Sequence, residues 1–217
     1  MDIERFRQFP LMGIVRGDGA DVIEPLVETV IAAGLETLEI AMNSPGAAEM
    51  IERASKISAG RLAVGAGTVT TDERLETACS AGAEFVVMPV LVDSVVRTCR
   101  SRSIPVFPGA FTPQEIWNAW QAGATMVKVF PAKTLGPEYI GEVRGPFDEV
   151  ELLACGGINS GNMQAYFDAG AAAVAFGGSV FGARRLAERD FDAIGASVAE
   201  LVEAARCATL ARSPAVP

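Results

Sequence analysis

The chain has 217 residues, half of them hydrophobic, a net charge of -9 and no histidine. This length and apolar content suffice for one sizeable core, and the acidic balance argues against nucleic acid as a partner. The missing histidine removes Ser-His-Asp and Cys-His catalysis and histidine-ligated zinc, leaving acid–base work to carboxylates, lysine, tyrosine, cysteine or bound water.

From the amino terminus, "MDIERFRQFP" alternates acidic and basic residues and lacks the apolar stretch of a signal peptide. Strand candidates then follow at 11–17 (LMGIVRG), 35–42 (LETLEIAM), 62–69 (LAVGAGTV), 85–90 (FVVMPV), 105–111 (PVFPGAF), 126–132 (MVKVFPA), 152–158 (LLACGGI) and 173–179 (AVAFGGS). Amphipathic stretches separate them, several opening on an N-cap candidate (Ser44, Thr112, Asn159) and closing on glycine (Gly34, Gly82, Gly123, Gly170). Near-continuous apolar strands alternating with helices predict a parallel sheet covered on both faces. Eight such units favour a single-domain (β/α)₈ TIM barrel spanning residues 1–217, with 211–217 as a frayed tail. The phrase Ala-Gly before the second, fourth, sixth and eighth strands fits either an internally repeated barrel or the common use of Ala-Gly at helix ends.

No apolar run approaches the roughly 20 residues of a membrane helix. The widely spaced Cys79, Cys99, Cys155 and Cys207 read as reduced, mostly buried thiols, which together with the leaderless start predicts a cytoplasmic protein.

Sites in such barrels form at the carboxyl ends of the strands, so charged residues there stand out. Lys128, one of three lysines, sits among Met126, Val127, Val129 and Phe130. Burial pulls an ammonium's pKa down toward a free amine, the form that attacks a ketone to give a Schiff base. The plainer alternatives are a structural ion pair or an outward-snorkelling side chain. Glu39 repeats the anomaly in the second strand and suits proton transfer, or merely an ion pair with Lys128 or Arg16. Arg16, ending the first strand, fits a substrate carboxylate or phosphate, or caps the sheet surface. The glycine pairs Gly156–Gly157 and Gly177–Gly178, with Ser179, follow the seventh and eighth strands, where barrels often hold phosphate; as plain turn glycines they would need no ligand.

The ordered set LEIAMNSP, VGAGTV, FPGAFTPQE, VKVFPA, GPF, ACGGIN and FGGS, spread over residues 12 to 181, resembles the class I 2-keto-3-deoxy-6-phosphogluconate / 4-hydroxy-2-oxoglutarate aldolase family. The resemblance implies that Lys128 forms the Schiff base with pyruvate and that Glu39 is the general acid/base. It implies phosphate binding at Gly156, Gly157, Gly177, Gly178 and Ser179, with Thr68 and Thr112 lining the pocket and Pro89 and Phe130 as its walls. It further implies no metal and no other cofactor, a phosphorylated keto acid and pyruvate as ligands, and a homotrimer. Where gluconate-type members place an arginine for the substrate carboxylate, this chain has Asn43, with Arg16 supplied from IVRG; in that respect it looks more like the galactonate branch. The implied reaction is cleavage of a 2-keto-3-deoxy-6-phospho sugar acid to pyruvate and glyceraldehyde 3-phosphate. Two rival readings are a sugar-phosphate isomerase or epimerase with Glu39 as base, Lys128 as an electrostatic clamp and no covalent intermediate, and a non-enzymatic sugar-phosphate binder.

Overall fold

A computed structural model of the chain describes residues 1–17 and 21–212. It opens with a short helix, α1 (Ile3–Gln8), and then alternates: β1 (Leu11–Val15), α2 (Ile23–Ala32), β2 (Thr37–Ala41), α3 (Ala47–Ser58), β3 (Ala63–Gly67), α4 (Asp72–Ser80), β4 (Val86–Val87) and α5 (Asp93–Ser101). The pieces β5 (Val106–Phe107) and β6 (Gly109–Ala110) follow, then α6 (Pro113–Ala122), β7 (Val127–Val129), α7 (Ala132–Arg144), β8 (Leu152–Cys155), α8 (Met163–Asp168), β9 (Ala173–Phe176), α9 (Ala183–Ala187) and α10 (Phe191–Arg212).

All strand pairings are parallel, in the order β5-β4-β3-β2-β1-β9-β8-β7-β6. The two edge pieces, β5 and β6, are consecutive in the chain, divided only at Pro108, so this one stretch closes the sheet. Proline cannot donate to a ladder. Its carbonyl still accepts from Lys128 N at 2.9 Å, while Phe107 O accepts from Met88 N at 3.1 Å on the opposite edge. The chain is therefore a (β/α)₈ barrel whose fifth strand is split at a proline. Gly109 makes this closure possible: a Cβ there would run into the Pro89 carbonyl of the neighbouring strand and lie 2.9 Å from Met88 O.

Strand alternation divides the core in two. Outward residues such as Leu38, Ile40, Val64, Val127 and Val129 pack beneath the helices. Helix α2 shows how, burying Ile23, Leu26, Val27 and Val30 at i, i+3, i+4 and i+7. Inward residues, including Met12, Phe85, Val87, Phe107, Met126 and Leu153, fill the barrel. Helix α1 plugs the bottom. Asp2 caps it, its side chain accepting from Glu4 N and Arg5 N, and Phe6 enters the interior edge-on to Phe107 with centroids 5.9 Å apart.

The helix ends largely follow the sequence. Gly34, Gly82, Gly123 and Gly170 all have positive φ, the conformation that ends a helix without Cβ strain. Thr112 forms a full capping box with Glu115. Two expected caps differ. Gly46, in a left-handed conformation, precedes α3, while Ser44 Oγ accepts from Gly17 N at 3.0 Å and ties the β1 and β2 ends together. Asn162 precedes α8, and Asn159 instead closes the preceding turn by accepting from Gly161 N and Asn162 N. Of the expected frayed tail, residues 211 and 212 belong to α10 and 213–217 lie outside the described residues. Among the described residues, no helix is long and apolar enough to cross a membrane.

Candidate active site

The inward-facing positions near the carboxyl ends of β2 and β7 bring Glu39 and Lys128 together. Lys128 Nζ lies 3.8 Å from Glu39 Oε2, with the side chains only 8% and 1% exposed. Neither snorkels. Among the described residues, neither carboxylate oxygen of Glu39 has a hydrogen-bond donor. A carboxylate sealed in this way is expensive to keep charged. Burial accordingly raises the Glu39 pKa, and the Lys128 and Arg16 charges offset this only in part. For Lys128, burial acts downward, but the Glu39 carboxylate and then Cys155 outweigh it, so the amine is held above its ordinary value. The expectation that apolar neighbours alone would neutralise Lys128 is thus corrected. While Glu39 is ionised, Lys128 keeps its proton; the amine becomes free when that negative charge is removed or receives the proton. The Phe130 ring stands over the lysine, its centroid 5.5 Å from Nζ.

Arg16 is exposed at the end of β1 and donates from Nη2 to Thr68 Oγ1 at 3.2 Å. Thr68 follows β3 with φ +57, unusual for a β-branched residue. Arg74, from α4, donates to the Thr68 carbonyl at 3.1 Å and to Thr70 Oγ1 at 3.0 Å, which fixes this turn. On the other side of the mouth, Gly156 and Gly157 adopt φ +100 and +83 after β8, and Gly177 packs so closely that a Cβ would lie 3.1 Å from Ile14 O. A Cβ on Gly178 would meet open space. Ser179 Oγ donates to Ile158 O at 3.4 Å, so the loops after β8 and β9 adjoin as one backbone-rich rim.

Two cavities flank the mouth. One, of about 320 Å³, is lined by Pro89, Val90, Phe111 and Phe130; the other, of about 300 Å³, by Arg16, Gly17, Leu186 and Arg189. A third cavity, bounded by Asp2, Phe6, Glu36 and Glu84, lies at the opposite end of the barrel, away from Lys128.

A family model described as "KDPG and KHG aldolase" matches residues 3–197. The chain belongs to that family. The 2-dehydro-3-deoxy-phosphogluconate aldolase of Haemophilus influenzae is 34% identical over 203 residues, 93% of this chain and 95% of the relative. The 2-dehydro-3-deoxy-6-phosphogalactonate aldolase of Escherichia coli is 31% identical over 183 residues, 84% and 89% of the two chains. A structure of the Legionella pneumophila KDPG aldolase, with pyruvate captured as a covalent carbinolamine, superposes with a TM-score of 0.83 at 25% identity, covering 91% of this chain and 95% of that one.

Of the site residues expected for a KDPG/KHG aldolase, Lys128, Glu39, Arg16, Thr68 and Phe130 form one connected group by contact or electrostatics. Pro89 borders the same mouth. Asn43 is exposed in the turn after β2. Thr112 is exposed, and its hydroxyl accepts from Glu115 N at 3.3 Å in the α6 cap while keeping its own hydrogen to donate. Sequence reasoning passed over Cys155, although it stands in ACGGIN beside the glycines that were singled out. Its thiol faces the same interior as Lys128, interacts with it electrostatically, and is raised in pKa chiefly by burial. The alternation of β8 carried the clue, since Leu153 and Cys155 both point inward.

Proposed function

We propose that the chain is a class I aldolase that cleaves a 2-keto-3-deoxy-6-phospho sugar acid, of gluconate or galactonate type, to pyruvate and glyceraldehyde 3-phosphate. The observation that carries this reading is the buried Lys128–Glu39 pair inside the barrel mouth, in a chain of the KDPG and KHG aldolase family. Substrate entry lets Glu39 take the proton that Lys128 holds, and the free amine attacks the C2 ketone. Glu39 returns its proton to the carbinolamine hydroxyl, which leaves as water, giving an iminium and an ionised Glu39. Glu39 removes the C4 hydroxyl proton, the C3–C4 bond breaks, and its electron pair enters the iminium as an enamine. Glyceraldehyde 3-phosphate leaves; protonation at C3 and hydrolysis release pyruvate and restore Lys128.

Arg16, aimed by Thr68, receives the substrate carboxylate, with Asn43 at the rim and Pro89 and Phe130 as apolar walls. The phosphate rests on the backbone of Gly156, Gly157, Gly177 and Gly178 with Ser179; positive φ at the first pair and the open space at Gly178 support this assignment. Thr112 lines the pocket with the donor hydrogen its cap leaves free. The rival isomerase would use Lys128 as an electrostatic clamp and form no imine; the match to the KDPG and KHG aldolase family favours the aldolase.

The assembly we propose is a homotrimer in the cytoplasm, acting on small molecules and on neither nucleic acid nor membrane. Three exposed large apolar side chains, Val90 (55%), Phe111 (37%) and Phe130 (41%), cluster at the mouth and suit partial cover by another subunit.

The deciding experiment is borohydride reduction in the presence of pyruvate. One pyruvyl adduct should appear, on the peptide carrying Lys128, with loss of activity, and Lys128→Met should neither trap nor turn over. Full activity in Lys128→Met would overturn the reading.

A further inference from the structure

The strand β3 reads AVGAG, and its inward-facing residues are Ala63, Gly65 and Gly67, in register with Thr37, Glu39 and Ala41 of β2. Elsewhere such inward positions carry Met12, Ile14, Val87 or Leu153, or the alanines Ala173 and Ala175. Neither inward glycine has the positive φ that would call for glycine on backbone grounds. The reason lies in the space above each one. A Cβ on Gly65 would sit 2.5 Å from three atoms of the Phe85 ring, so this glycine accommodates a core aromatic. A Cβ on Gly67 would fall on Glu39 Oε1 and lie 2.6 Å from Glu39 Cγ. The carboxyl of Glu39 therefore lies flat over a missing side chain.

We propose that Gly67 is a positioning residue for the proton-transfer chemistry: its empty α-carbon is the slot that holds the Glu39 carboxyl turned toward Lys128. The slot has no room to give. Gly67 O accepts from Met42 N at 2.7 Å, which pins the β3 backbone to the end of β2. Glu39 is completely buried, with Lys128 on its other side. A methyl group at position 67 must turn the carboxyl out of the slot and so change its alignment with the Lys128 amine. This inference rests on the reading of Glu39 as acid/base, and it gives the GAGTV motif a role apart from Thr68.

The test is a double-mutant cycle on Gly67→Ala and Glu39→Ala, with Glu39→Gln alongside, reading pyruvate release, the pH profile of kcat/KM and thermal stability. Gly67→Ala should lower kcat by about 10²-fold or more, the scale of a misplaced general base. It should change KM by less than about threefold and move the acidic limb to lower pH, as the carboxyl leaves its buried slot. In the Glu39→Ala background, where the side chain that fills the slot is gone, Gly67→Ala should change neither kcat nor Tm further. If Gly67→Ala alone does not fold, recovery of folding in the double variant supports the same slot. Wild-type kcat and pH profile in Gly67→Ala, or an equal loss in both backgrounds, would overturn the proposal. Wild-type kcat in both Glu39→Gln and Glu39→Ala would sink the acid–base reading instead, and the coupling in Tm would still report on the slot.

Discussion

At the scale of single residues, the chemistry depends on which of two buried groups holds a proton. Lys128 and Glu39 were visible in the sequence because charges inside apolar strands are costly. Their partnership was left open there, as an ion pair or as catalytic actors. The 3.8 Å separation makes them an ion pair, and under the proposed mechanism it changes the expected route to a nucleophile. Burial alone does not free the amine; transfer of its proton to a carboxyl that burial has made more basic does. The pH consequence has a definite sign. A raised pKa means that Glu39 binds a proton at a pH where an exposed glutamate is ionised, so its base form is lost earlier as pH falls. The acidic limb of kcat/KM, which reports the free enzyme, should therefore lie above the ordinary 4.5 of a glutamate. A limb at or below that value would mean the kinetically important carboxyl is not this buried one.

At the scale of elements, helix α4 reaches back to the site in a way no motif announced. Arg74 holds the carbonyl of Thr68 and the hydroxyl of Thr70, keeping Thr68 in a left-handed conformation that costs on the order of 1–3 kcal/mol. Thr68 in turn accepts from Arg16. Replacing Arg74 by Met keeps the apolar stem and removes the donors. The turn should relax and Arg16 lose its aim, raising KM for the keto acid by about tenfold, the equivalent of one hydrogen bond to a charged group, with kcat within about threefold. Steady-state kinetics decide it: a fall in kcat at unchanged KM would contradict this chain of contacts. Helix α1 shows a different limit of sequence reading. Its six residues carry one buried side chain, Phe6, too few for a periodic pattern. Only the open barrel bottom gives that phenylalanine somewhere to go.

At the scale of the whole molecule, closure puts β2 and β7 on facing parts of one wall. Residues 89 positions apart thereby meet, as Glu39 and Lys128 do. The apolar rim at Val90, Phe111 and Phe130 belongs to this scale too. Sedimentation equilibrium should give a species of about three times the 22.7 kDa chain mass, and Val90→Asp should shift it toward smaller species. A wild-type mass of one chain would remove the trimer.

The sequence by itself determined the alternation of strands and helices, the parallel sheet, the glycine helix ends and the two misplaced charges. Each follows from local periodicity, backbone freedom or the cost of burying charge, which a linear chain displays. It could not determine that Pro108 splits the closing strand or that Ser44 ties two loops instead of capping a helix, since alternative partners exist for each until the chain is folded. Tertiary structure alone decided that Cys155 faces the same interior as Lys128 and that the empty α-carbon of Gly67 accommodates Glu39. Those are facts about space between strands, and distance across a barrel has no counterpart in sequence spacing.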